Sequence, residues 1–264
     1  MFKSPRKRFG QNFLQDDNVI QKIIQAVHPT QQDRIVEIGP GRGALTLPVL
    51  ELCRELHIIE VDRDLIEWWQ SQKLDRLVIH ATDALKFDFH TLTNEHAEDN
   101  GIRLIGNLPY NISTPLLFHL MRFTNMITDM HFMLQKEVVD RIVSQPGSKT
   151  YGRLSVMMQY YCAVERLFIV SPGSFYPPPK VDSAIVRLVP HQQRADCDAQ
   201  TLSRIVKQAF SQRRKTLRNS LKNWISSDEI SQLGLDPTAR PETLPLDAFI
   251  KLANACQDSA EIHR

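Results

Sequence analysis

Asn107, Leu108, Pro109 and Tyr110 stand in one run between an apolar stretch, Ile102 to Ile105, and a helix-start signal, Ser113-Thr114-Pro115. Pro109 has no backbone donor and biases Leu108 away from the helical region, so the Leu108 carbonyl is expected to point outward rather than into a ladder. The Asn107 side-chain oxygen would be a second acceptor beside it, and the two could take hydrogens from one amino group. The Tyr110 ring would stack on the planar group carrying that amine. These residue types in this order suit the exocyclic amine of a nucleobase.

A second constellation supplies a nucleotide-like ligand. Glu37-Ile38-Gly39-Pro40-Gly41-Arg42-Gly43 follows a buried strand, Arg34 to Ile38, and precedes a helix expected to begin near Ala44. Glycines at alternate positions let backbone approach a ligand closely, and the helix N-terminus offers free N–H groups. Glu60 lies seventeen residues beyond Gly43, at the end of the next expected strand, Leu56 to Val61. An acid there can accept hydrogen bonds from ribose hydroxyls. The competing reading is a structural turn with a solvated glutamate. Asp83 falls where a third strand would end; it could accept from an adenine amine of the same ligand or simply cap a turn.

Ser171 to Lys180 holds four prolines and a glycine around Phe175. In so stiff a loop Phe175 could present a second stacking wall, or it could be an apolar plug over the sheet edge.

These residues need a scaffold, and the rest of the chain describes one. Asp16 or Asp17 can cap a helix whose apolar positions Val19, Ile20, Ile23, Ile24 and Val27 share a face, ending at His28-Pro29. Strands and helices then alternate up to a last strand at Ala184 to Val189, which predicts an α/β fold with a mostly parallel sheet covered on both faces. Ligands should sit at the carboxyl ends of its strands. His191 to Asp198 reads as a polar linker, and the remainder as a small all-helical domain with caps at Ser226 or Ser227 and at Gly234. The expected division is residues 1–190 and 191–264.

Bulk properties narrow the function classes. Four cysteines, Cys53, Cys162, Cys197 and Cys256, stand far apart with no CxxC pair, which signals neither a metal site nor a disulfide framework. No apolar run approaches a bilayer-spanning length and the basic N-terminus lacks the apolar core of a secretion signal, so a cytoplasmic protein without a membrane partner is expected. Net charge is only +2, but Lys3, Arg6, Lys7 and Arg8 open the chain with no acid among the first ten residues. Thr201 to Asn223 carries seven Lys or Arg, including Arg213, Arg214, Lys215, Arg218 and Lys222, and no Asp or Glu. Charge so distributed suits a nucleic-acid binder with a one-sided contact face; two solvated basic faces are the plain alternative.

Five motifs arrive in order: Lys7-Arg8-Phe9-Gly10-Gln11-Asn12-Phe13-Leu14, Glu37 to Thr46, Glu60-Val61-Asp62-Arg63, Asn107 to Ser113, and Phe175-Tyr176-Pro177-Pro178-Pro179-Lys180-Val181-Asp182-Ser183. With them, from residue 7 to about residue 255, the chain resembles the ribosomal RNA adenine dimethyltransferases. Phe210 to Leu221, Pro40 between two glycines, and Leu108 match the small-subunit branch linked to kasugamycin sensitivity rather than the large-subunit branch that confers macrolide resistance. The resemblance implies a Rossmann-like class I methyltransferase sheet, mostly parallel with one antiparallel strand, and S-adenosylmethionine as cofactor. It implies cofactor contacts at Asn12, Leu14, Gly39, Glu60, Asp83 and Asn107, to which the glycine turn adds Gly41. The implied substrate is 16S rRNA in a partly assembled small subunit, dimethylated at two adjacent adenosines of a hairpin loop near its 3′ end, by an enzyme also credited with subunit maturation. A monomer is the default. The remaining alternatives are a large-subunit enzyme and a non-catalytic assembly factor that keeps the fold.

Overall fold

The structure, a computed structural model, describes residues 11–92, 101–212 and 214–262. The basic residues Lys3 to Arg8 and the cation Arg213 lie outside them. In chain order the strands are β1 (Phe13–Leu14), β2 (Arg34–Ile38), β3 (Glu55–Glu60), β4 (Leu77–Ala81), β5 (Ile102–Asn107), β6 (Ile127–Gln135), β7 (Cys162–Val170), β8 (Phe175–Tyr176) and β9 (Ser183–Pro190). The α-helices are α1 (Asp17–Val27), α2 (Thr46–Leu52), α3 (Arg63–Gln72), α4 (Ser113–Leu120), α5 (Lys136–Ile142), α6 (Arg153–Tyr161), α7 (Ala199–Ala209), α8 (Leu217–Ser220), α9 (Ser227–Gln232) and α10 (Leu246–Ile262).

Seven strands form one sheet in the order β4-β3-β2-β5-β6-β9-β7. The ladders from β4 through β6 are parallel, and β9 runs antiparallel to β6. Central strands buried on both faces should be apolar at nearly every position. Accordingly Ile35, Val36, Leu56, Ile58, Ile59, Ile102, Leu104 and Ile105 are all buried. Arg103 is the exception within β5: its guanidinium binds Asp33 and Asp129, both at 2.8 Å, and the carbonyls of Val27 and His28. A half-buried charge so fully paired ties β5 and β6 to the end of α1.

The local signals operate as read. Asp16 caps α1 through the N–H groups of Asn18 and Val19, and His28 ends it in the left-handed region. Helix α2 starts at Thr46, two residues later than expected, because Gly39, Gly41 and Gly43 all take positive φ and extend the turn.

The chain divides into two compact units, residues 1–139 with 165–190, and residues 140–164 with 191–264. The sequence reading placed residues 140–164 in the first domain; they cluster with the second. The reason is packing, since α6 lies against α7 and α10 and helps bury their apolar faces. In this second unit Leu202, Ile205, Val206, Leu221 and Phe249 are fully buried, and Phe210 meets Phe249 at 5.6 Å. Ser226 and Glu229 form a reciprocal capping box on α9, and Gly234 terminates it with φ 74°.

Candidate active site

The carboxyl ends of β2, β3, β4 and β5 surround a cavity of ≈ 260 Å³ within the first unit. All seven expected cofactor residues line it: Asn12, Leu14, Gly39, Gly41, Glu60, Asp83 and Asn107. They come from points up to 95 residues apart: the parallel register gathers Gly39, Gly41, Glu60, Asp83 and Asn107 at one end of the sheet, and the N-terminal arm adds Asn12 and Leu14.

Each acid is held by its own turn. Glu60 Oε1 accepts from the N–H groups of Val61 (2.8 Å) and Asp62 (2.9 Å). Burial pushes its carboxyl above the ordinary range, with those bonds opposing the shift. Asp83 Oδ1 accepts from Leu85 N at 3.0 Å, the turn-capping role, while the residue also borders the cavity. The two readings of Asp83 are therefore compatible.

Glu37 is the group the sequence reading quoted without assigning a role. It is 2 % exposed, lines the cavity, and its Oε2 has no hydrogen-bond partner among the described residues. Burial raises its pKa to about 7, with the nearby Glu60 charge pushing the same way. A buried carboxyl with one oxygen unpartnered, beside a second acid, is an arrangement that favours a cationic ligand.

The run Asn107 to Tyr110 is fixed from several directions. The Asn107 Nδ2 group donates to the Asn12 carbonyl at 2.9 Å, which leaves Oδ1 as an acceptor. Leu108 N donates to Met133 O at 3.1 Å, and its side chain is buried. Among the described residues the Leu108 carbonyl accepts no hydrogen bond. Pro109 lines the cavity, and its carbonyl accepts from Ile112 and Ser113, opening α4. Tyr110 is half-buried, with its hydroxyl 2.7 Å from Ser183 Oγ.

Phe175 differs from the sequence expectation of a stacking wall. It pairs with Leu14 in a two-stranded antiparallel ribbon, β1 with β8, and is 4 % exposed within the cluster that contains Leu14 and Ile185. Period-two alternation sends Tyr176 outward instead, 54 % exposed. As placed, Phe175 is the plug that holds the arm to the site.

Comparison with known proteins agrees with this geometry. A family model described as ribosomal RNA adenine dimethylase matches residues 2–258. The chain belongs to that family. It is accordingly an rRNA adenine dimethyltransferase. It is 56% identical over 254 residues to a ribosomal RNA small subunit methyltransferase A of Laribacter hongkongensis, covering 95% of each chain. It is 54% identical over 257 residues to the protein of that name from Pseudomonas syringae pv. tomato, covering 96% and 95%. Among solved structures, a dimethyladenosine transferase from Plasmodium falciparum superposes with a TM-score of 0.79 at 26% identity, covering 94% of this chain and 98% of that one. The 23S rRNA methyltransferase ErmE shares the fold, with a TM-score of 0.70 at 20% identity over 93% and 100% of the chains.

Two positions of this dimethylase escaped the sequence reading. Gly106 precedes Asn107, and a Cβ there would come 2.5 Å from Ile38 O. The glycine lets β2 and β5 close up where the turn meets the amine-binding run; an isolated glycine inside a strand was its available signal. Phe13 lies between Gly41, whose Cβ would meet the ring at 3.1 Å, and the Arg42 guanidinium, 4.4 Å from the ring centroid. Arg42 thus packs the arm onto the turn.

In the helical unit of the dimethylase, Arg214, Lys215, Arg218 and Lys222 are exposed while Leu217, Ser220 and Leu221 between them are buried. These four cations therefore point outward, and Leu217 and Leu221 anchor the segment that carries them.

Proposed function

We propose that this dimethylase transfers two methyl groups to the N6 amine of each of two adjacent adenosines in a hairpin loop near the 3′ end of 16S rRNA, using S-adenosylmethionine, during small-subunit biogenesis. The observation that carries the reading is the oriented Asn107 amide, whose oxygen is left free in the wall of the cavity by the bond from Nδ2 to Asn12.

The cavity suits the cofactor. Glu37, with its unpartnered oxygen, matches a molecule that carries positive charge, and Glu60 and Asp83 are acceptors for a ribose and an adenine amine. Asn12, Leu14, Gly39 and Gly41 would hold it from the arm and the turn. When bound, the cofactor supplies an electrophilic methyl group on a sulfonium.

The protein's own residues then act on the nucleophile. An adenine amine is weak because its lone pair is delocalised into the ring. Accepting one amine hydrogen at Asn107 Oδ1 and one at the Leu108 carbonyl would draw the nitrogen towards a tetrahedral geometry and free that lone pair. No general base is needed, since the nitrogen becomes acidic only after methyl transfer and its proton can leave to solvent. In the second round the monomethylated amine has one hydrogen, so one of the two acceptors works unpaired.

The base must leave its stack to reach this seat, and Tyr110 would be the ring that receives it. Arg214, Lys215, Arg218 and Lys222, with Arg213, would bind the RNA backbone in the partly assembled subunit. Four free thiols, Cys53, Cys162, Cys197 and Cys256, suit a cytoplasmic setting.

The test is incubation with labelled cofactor and unmethylated small subunits, followed by digestion of the RNA. Label recovered as dimethyladenosine from the 16S hairpin is expected. Label in large-subunit RNA, or none, would overturn the assignment.

A further inference from the structure

Three elements hold the amine-binding run: Asn12 takes the Asn107 amide, Met133 takes the Leu108 N–H, and Ser183 meets the Tyr110 hydroxyl. The first two set the acceptors. The third has no role in the function described so far, although Ser183 closes the Pro-rich motif.

Ser183 is the first residue of β9 and is fully buried. Its backbone is fixed by register with Gln135 of β6, and the preceding carbonyl, Asp182 O, accepts from Lys136 N at 2.9 Å. Serine is a poor strand former, and a hydroxyl at a fully buried position is costly unless bonded. Here its partner is the phenol of Tyr110 at 2.7 Å. A tyrosine ring has two rotatable side-chain bonds, so a ring tethered only at its Cα can swing its plane away from a base. Tethered at Cα and hydroxyl together, it can only turn about its own long axis.

We propose that Ser183 is a positioning residue for methyl transfer: by holding the Tyr110 hydroxyl it fixes the long axis of the ring on which the target adenine stacks. The inference rests on the reading that Tyr110 stacks on that adenine. It also assigns the phenol a purely structural task. A hydroxyl engaged with a buried serine, and kept protonated by its own burial, does not collect the amine proton. Tyr110 and Ser183 do not line the cofactor cavity, so the device acts on the RNA side of the reaction.

The experiment compares the full-length protein with Ser183→Ala, Tyr110→Phe, their double variant, and Ser183→Thr, which keeps the hydroxyl. With saturating cofactor and unmethylated small subunits, Ser183→Ala and Tyr110→Phe should each lower kcat/KM by about 3- to 10-fold, mostly through KM for RNA. The double variant should be no worse than the weaker single one, Ser183→Thr should recover most of the loss, and cofactor affinity should not change. Losses that multiply in the double variant, or an unchanged Ser183→Ala, would overturn the proposal. If Ser183→Ala fails to fold, Tyr110→Phe removes the same bond from the half-buried side.

A second readout uses no RNA. In the free protein with ring-labelled tyrosine, Ser183→Ala should shift the Tyr110 Cζ resonance; an unaltered resonance overturns the tether itself. Should the tether be present while Tyr110→Ala methylates subsaturating RNA at the wild-type rate, the stacking reading fails and takes the positioning role with it.

Discussion

The side-chain amide of Asn107 donates to the main-chain carbonyl of Asn12 at 2.9 Å, joining the end of β5 to the N-terminal arm. An asparagine amide can turn either end toward a ligand, and an acceptor at Asn12 decides which. The arm thereby contributes to chemistry that it does not perform. Asn107→Ala should lower turnover by about 10² or more, the scale for losing one preorganised polar contact. Asn107→Asp should be comparably damaging, because a carboxylate cannot donate to Asn12. Wild-type turnover in either variant, measured with saturating substrates, would remove the role given to Asn107.

Glu37 sets a pH dependence. Its folded pKa of about 7 stands above the ordinary value of 4.5, so the folded chain keeps a proton that the unfolded chain has lost between those values. The resulting contribution to stability is fully present below about pH 4.5 and is lost as pH rises through 7, an effect of about 3 kcal/mol by pH 8. Glu37→Gln should therefore raise the unfolding free energy at pH 8 by about 1–3 kcal/mol, with the gain shrinking towards pH 5. It should also weaken cofactor binding at pH 8. Urea unfolding at the two pH values checks the first part; a gain that is the same at both would contradict it.

The packed position of Phe175 predicts a stability effect. Phe175→Ala should cost about 3–5 kcal/mol, the range for truncating a buried aromatic ring, whereas Phe175→Leu should cost much less. Methylation by Phe175→Leu should survive in proportion to its folded fraction. A stable Phe175→Leu protein that no longer methylates RNA would restore the stacking wall that the sequence suggested.

The outward cations predict a salt response. If Arg214, Lys215, Arg218 and Lys222 each meet a phosphate, log affinity for the RNA should fall with log salt at a slope of about −3, and Lys222→Ala should flatten it by about 1. A titration showing no salt dependence would assign these side chains to solvent.

Much of this protein was legible before any coordinates. Apolar runs without alternation announced central strands, three glycines at alternate positions announced a strand-to-helix turn, and Asn107 to Tyr110 announced two acceptors left out of the ladder, since each depends on chemistry within a few residues. Caps at Asp16, Ser226 and Gly234 were legible for the same reason. What lay beyond reach were relations set by non-local packing. Phe175 offered a wall or a plug until β8 paired with β1 and turned its ring inward. Residues 140–164 looked like part of the sheet domain until α6 found α7 and α10. Glu37 was one more acid in a motif until the surrounding strands removed its water. Asn12, Met133 and Ser183 carry no mark in sequence of their bonds to the amine-binding run. Residue type and spacing determined which groups could do the chemistry; the sheet register and the folded-back arm decided which way each group faces, because orientation is imposed by partners distant in the chain.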